Sequence, residues 1–129
     1  MSLNDAYNKV KQFHEAFNHP VSETPKLLSN ERVEARAKWM EEEIQEFRDA
    51  RTIVDQADAL IDNLYFTLGT LVEMGVRPEE LFNIVQNANM AKLYHDGKPR
   101  FREDGKIVKP EGWEAPEPKL DEAIGRQAK

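Results

Sequence analysis

The sequence predicts an all-α fold: a four-helix bundle followed by a small hairpin and an irregular tail. Three observations lead there. Apolar residues recur at three- and four-residue spacing from Leu3 to Leu93. Residues with capping chemistry sit where those periodic runs begin and end. Gly97, Pro99, Gly105, Pro110, Gly112, Pro116 and Pro118 then crowd into the last third of the chain, where no helical period survives. At 129 residues the chain suits a single domain spanning 1–129, with core helices over about 3–93 and the hairpin and tail over 94–129.

Ser2 or Asn4 caps a first helix whose stripe is Leu3, Tyr7, Val10, Phe13 and Phe17, and Asn18-His19-Pro20 ends it. Pro20 and Pro25 make 18–28 an ordered loop. Ser29 caps a second helix over roughly 30–50, with Val33, Ala37, Met40, Ile44 and Phe47 as its core seam. Thr52 to Asp55 has the form of a capping box, and the third helix runs from there to about Met74, closed by Gly75. From Leu60 to Val72 that helix is apolar nearly all round, as a central or interface helix would be. Pro78, Glu79 and Glu80 suit the first turn of a fourth helix reaching about Leu93. Beyond it, Arg100–Arg102 and Lys106–Val108 flank Glu103-Asp104-Gly105 as the arms of a hairpin. Residues 119–129 read either as a short helix or as disorder.

Composition narrows the function classes. A net charge of −6 argues against binding nucleic-acid polymers, although a bound metal would reverse the local sign for a phosphate-bearing substrate. The absence of cysteine excludes disulfides and thiolate metal sites. No apolar run suggests a membrane span and no signal pattern opens the chain, so the expected location is cytoplasmic.

The chemistry concentrates between Arg36 and Leu71. Glu43 and Glu46 lie three apart, beside Glu42; Asp55, Asp58 and Asp62 follow at spacings of three and four. On helices those offsets share a face. The short connection at Arg48–Arg51 folds the two helices into a hairpin, so the acidic faces oppose each other and call for a cation. Acidic residues on helices are more often plain solvated surface. Against that, Asp58 and Asp62 stand among Ala57, Leu60, Ile61 and Leu64, and three Asp at successive turns carry a helix-propensity cost. An all-oxygen donor set suits Mg²⁺, or Mn²⁺, and disfavours Zn²⁺. His14, His19 and His95 supply no Glu-x-x-His motif of the di-iron kind. Mg²⁺ held by a few carboxylates points to phosphoryl chemistry on a nucleotide-like substrate.

VKQFHEAFNHP, RAKWMEEEIQEF, ADALIDNLYFTLGT and NMAKLYHDGKPRFREDGKIVKPEGW together resemble the MazG-like all-α NTP pyrophosphohydrolase superfamily, which includes phosphoribosyl-ATP pyrophosphohydrolases. The resemblance implies Mg²⁺-dependent hydrolysis of a (d)NTP between its α and β phosphates, in a house-cleaning role. It implies Glu43, Glu46 and Asp58 as metal ligands, with Asp55 where the family usually has Glu and Asp62 serving instead or as well. Glu42 matches a position that activates the attacking water, in a catalytic set with Glu43 and Glu46. Asn89 and Lys92 match a substrate-contacting Asn-x-x-Lys. Arg36, Lys106 and Lys109 are further candidate substrate contacts, although Arg36 suits pairing with a carboxylate equally well and the two tail lysines suit a basic hairpin docked on the acidic bundle equally well. The apolar third helix implies a homo-oligomer, a dimer or tetramer. Two rivals remain at this point: a hydrolase of the same fold acting on another phosphorylated metabolite such as phosphoribosyl-ATP, and a non-catalytic acidic module that binds a basic partner.

Overall fold

A computed structural model describes all 129 residues as five helices and no extended strand. They are α1 (Leu3–Ala16), α2 (Asn30–Asp49), α3 (Ile53–Met74), α4 (Glu79–Met90) and α5 (Glu117–Gln127). None is long and apolar enough to cross a membrane. The backbone forms two compact units: residues 1–78 with 127–129, and residues 79–126.

In the first unit the helix ends follow local side-chain chemistry. Ser2 and Asp5 make a reciprocal capping box on α1, Ser29 accepts from the Arg32 amide on α2, and Thr52 accepts from the Asp55 amide on α3. Helix α3 stops at Gly75, whose φ of 70° is left-handed. A Cβ there would lie 2.4 Å from the Thr24 carbonyl oxygen, so both conformation and space demand glycine. The loop after α1 approaches so closely because it caps α3: the Lys26 amide donates to the Met74 carbonyl, and the Ser22 amide adds a second bond to the Val72 carbonyl, which also accepts from the Gly75 amide.

The core of this unit is small: Tyr7 and Val10 of α1 against Leu68 and Val72 of α3, with Leu3, Ala6, Val21 and Leu71 around them. Helix α3 packs on both α1 and α2. The predicted seam of α2 is not core. Val33, Ile44 and Phe47 are exposed, and Arg36 is the one buried residue of that helix. The apolar period was legible, but the surface it covers lies outside this chain's own core. Helix α3 repeats the pattern, with Ile53, Val54, Leu60, Ile61 and Leu64 exposed along its first half.

The second unit contains α4 and nearly all of α5. Helix α4 stops at Met90, three residues short of the expected end, and the Lys92 and Leu93 amides close a turn back onto Asn89 and Met90. The Trp113 indole nitrogen donates to the Ala88 carbonyl at 2.7 Å, tying the following segment to α4. The predicted hairpin reduces to one antiparallel bridge, Phe101 to Ile107, around a turn with Gly105 at φ 84°. The tail after Pro116 is the helical alternative: α5 forms, and Arg126 pairs with Glu80.

Candidate active site

Carboxylates at one-turn spacing must share a helix face, and the α2–α3 hairpin decides which of them meet. Its connection is only residues 50–52, so the helices run back side by side. The Asn63 side chain fixes their register by donating to the Met40 carbonyl at 3.1 Å, and the Thr67 hydroxyl bonds the Asn63 carbonyl behind it. Met40 stands three residues before Glu43, and Asn63 follows Asp62. This cross-link therefore holds the two acidic faces against each other.

The result is a cluster of Glu43, Glu46 and Asp62, each offering a carboxylate oxygen within 4.8 Å of the others. Glu43 Oε2 is buried with no hydrogen-bond partner. An orphaned carboxylate oxygen facing two more carboxylates is what a divalent cation would satisfy, so these residues fit the metal that the resemblance implies. Burial, then the neighbouring Glu46 carboxylate, then Asp62 and Asp58 push the Glu43 carboxyl up from 4.5 to about 7. Burial, Asp58 and Glu46 push Asp62 up in the same way. Asp58 is exposed and contributes charge from beside the cluster. Asp55 is exposed in the first turn of α3, where its amide meets Thr52. Glu42 is exposed and precedes Glu43 by one residue on α2.

One helical turn away on both helices lies a cavity of about 200 Å³. Trp39 precedes Glu43 by four residues and Phe66 follows Asp62 by four, roughly 6 Å along each axis. Phe13 and Tyr65 stand edge to face at its rim, 5.7 Å between centroids, and both are more than a third exposed. Arg36, His14 and His19 complete the lining. Arg36 itself is buried and bonds the buried carboxylate of Glu73, which also takes two 2.9 Å bonds from Arg32. Glu73, Asn63, His14 and the aromatic rim escaped the sequence reading. The one available signal was a lone Glu in the apolar run TLVEMG opposite an Arg32/Arg36 pair at helical spacing.

The buried cluster sets an acid-sensitivity that can be measured. His14 Nδ1 lies 2.8 Å from the Pro20 carbonyl and so carries the proton it donates. Its Nε2 faces the Arg36 guanidinium at 3.4 Å and is the unprotonated nitrogen. Burial and Arg36 lower its pKa, outweighing Pro20. Burial alone would raise Glu73, but the bonds from Arg32 and Arg36 hold it low. A lowered folded pKa means stability is lost as pH falls: below about 6.5 for His14 and below about 4.5 for Glu73. Glu43 acts oppositely, since its raised pKa makes the metal-free fold gain stability as pH falls from about 7. The His14 contribution is therefore read as a difference. The melting-temperature gap between wild type and His14→Gln should shrink as pH falls below 6.5; a gap constant down to pH 5 contradicts the assignment.

The remaining candidates belong to the second unit. Lys92 Nζ donates to the Asn89 side chain at 3.1 Å. Lys92 and Lys109 stand 5.5 and 4.6 Å from the Trp113 ring centroid, and neither is in an ion pair with a carboxylate. Arg100 and Arg102 pair with Asp96 and Asp104, whereas Lys106 stays exposed at the hairpin turn.

Residues 10–89 match the sequence model of the phosphoribosyl-ATP pyrophosphohydrolase family. A solved structure from Exiguobacterium sp. 255-15, provisionally assigned as an NTP pyrophosphohydrolase, is 36% identical, covers 95% of both chains and superposes with a TM-score of 0.55. No curated protein matches the chain.

Proposed function

The chain belongs to the phosphoribosyl-ATP pyrophosphohydrolase family of MazG-like enzymes and is a pyrophosphohydrolase, and on that premise we propose that it cleaves nucleoside triphosphates between the α and β phosphates with Mg²⁺. The observation that carries the metal part is the orphaned, buried Glu43 oxygen inside the Glu43–Glu46–Asp62 cluster. Those three carboxylates are the proposed ligands, with Asp58 adding charge from beside them and Asp55 kept as a helix-end residue. When bound, the cation neutralises phosphate charge and orients the scissile group and a water.

The chain's own groups do the rest. Glu42, exposed one residue before Glu43, accepts the proton of the attacking water at its carboxylate. The aromatic cavity one turn from the carboxylates takes the base, with Trp39, Tyr65 and Phe13 supplying ring faces and edges. Asn89, Lys92, Lys106 and Lys109 bind phosphate oxygens. Two ammonium groups gathered at one indole without a carboxylate partner favour an anion. The exposed apolar faces of α2 and α3 support a homo-oligomer, a dimer or tetramer, as the working form. Hydrolysing non-standard or surplus nucleotides is the corresponding house-cleaning role, carried out in the cytoplasm.

The family's name favours one second reading, phosphoribosyl-ATP as substrate, with the same bond broken. A screen of (d)NTPs and phosphoribosyl-ATP with Mg²⁺, products resolved by chromatography, tests both. The proposal expects a monophosphate and pyrophosphate from one or more (d)NTPs, abolished by chelator. Turnover of phosphoribosyl-ATP alone supports the second reading, and a diphosphate with orthophosphate contradicts both.

A further inference from the structure

Glu73 is a buried acid facing two guanidinium groups, and the cavity proposed above for the base lies against one of them. One carboxylate shared by Arg32 and Arg36 leaves the local charge positive. Arg32 is part-exposed and that of Arg36 is buried, so the uncompensated charge that water cannot screen is on Arg36. His14 adds none, because its Nε2 accepts from Arg36. Of the five N–H groups of the Arg36 fork, Glu73 takes one and His14 one. The fork is also fixed in space. Its carbon lies 4.9 Å from the Trp39 ring centroid, and a Cβ on Gly69 would come within 3.0 Å of its Nη1 and 2.9 Å of His14 Nε2. A rigid donor fork with surplus positive charge, beside an aromatic slot, recognises a planar ring with carbonyl acceptors on its outer edge. Arginine reads guanine O6 and N7 in this way, whereas the adenine edge carries an amino donor.

We propose that Arg36, held in place by Glu73, reads the acceptor edge of a keto nucleobase (uracil, thymine or guanine) in the Trp39–Tyr65 cavity. Arg36 is the specificity-determining residue and Glu73 its positioning residue. The inference deepens the base-site assignment above and rests on it.

Trp39 is itself a reporter. In a Trp113→Phe background it is the single tryptophan, and its emission can be followed in chelator, without turnover, as dUTP, dTTP, dGTP and dATP are added. These ligands share their phosphates and sugar, apart from the base. The expected result is binding of the keto nucleotides at least tenfold tighter than dATP. The ratio should collapse toward one in Glu73→Gln and in Arg36→Lys, which keeps the buried charge but lacks the fork. A wild-type protein without keto preference overturns the inference. So does a Glu73→Gln or Arg36→Lys protein that melts lower but keeps the ratio, since Glu73 is then only a structural partner. Arg36→Lys keeps the test open if Glu73→Gln does not fold. Keto-selective quenching in a protein that hydrolyses no triphosphate would sink the catalytic reading and leave this one standing.

Discussion

Glu46→Gln is expected to lower kcat by roughly 10³-fold while leaving the protein folded. Removing one member of a metal-holding set costs several kcal/mol of transition-state stabilisation, at about 1.4 kcal/mol per tenfold. The fold should not suffer, because Glu46 is exposed and its carboxylate repels Glu43 and Asp62. The metal-free variant should melt at or above the wild-type temperature, since the amide keeps the shape and drops the charge. Steady-state kinetics beside a thermal melt check both halves. Loss of activity together with a lower metal-free melting temperature would make Glu46 a structural residue instead.

Charging the exposed face of α3 should be as damaging by another route. Leu60, Ile61 and Leu64 are 54%, 60% and 47% exposed, on the helix that carries Asp62. Burying a large apolar side chain contributes about 1.5–3 kcal/mol, so Ile61→Glu with Leu64→Glu removes roughly 3–6 kcal/mol from an oligomer contact, before the cost of desolvating two carboxylates. That amounts to two to four decades in the dissociation constant. Sedimentation should show an oligomer for wild type and a monomer for the double variant, with activity falling alongside. A wild-type monomer, or an unchanged oligomer in the variant, removes the face from the assembly.

What the sequence made legible was whatever is local. Ser2, Ser29, Thr52 and Gly75 mark helix ends because capping involves neighbours within four residues, and in the structure α1, α2 and α3 begin directly after Ser2, Ser29 and Thr52 and α3 ends directly before Gly75. Glu43 and Glu46 share a face by helix geometry alone. Asp62 stood among three aspartates, and its place in the cluster depends on hairpin register, which the three-residue connection and the Asn63–Met40 bond determine. Periodicity marked the seam of α2 as apolar but not what it packs against, so Val33, Ile44 and Phe47 proved exposed. Glu73 pairs with residues 37 and 41 positions away, a separation at which spacing carries no information. Only folding brings His14, Arg36 and Gly69 into contact.

The proposed cation site stands on Glu43, Glu46 and Asp62 acting together. The most direct measurement is Mn²⁺ binding followed by electron paramagnetic resonance without nucleotide, on wild type, Glu43→Gln, Asp62→Asn and Asp55→Asn. Saturable binding is expected for wild type and Asp55→Asn, with its loss in Glu43→Gln and Asp62→Asn. Equal affinity in all four proteins, or loss confined to Asp55→Asn, would contradict it.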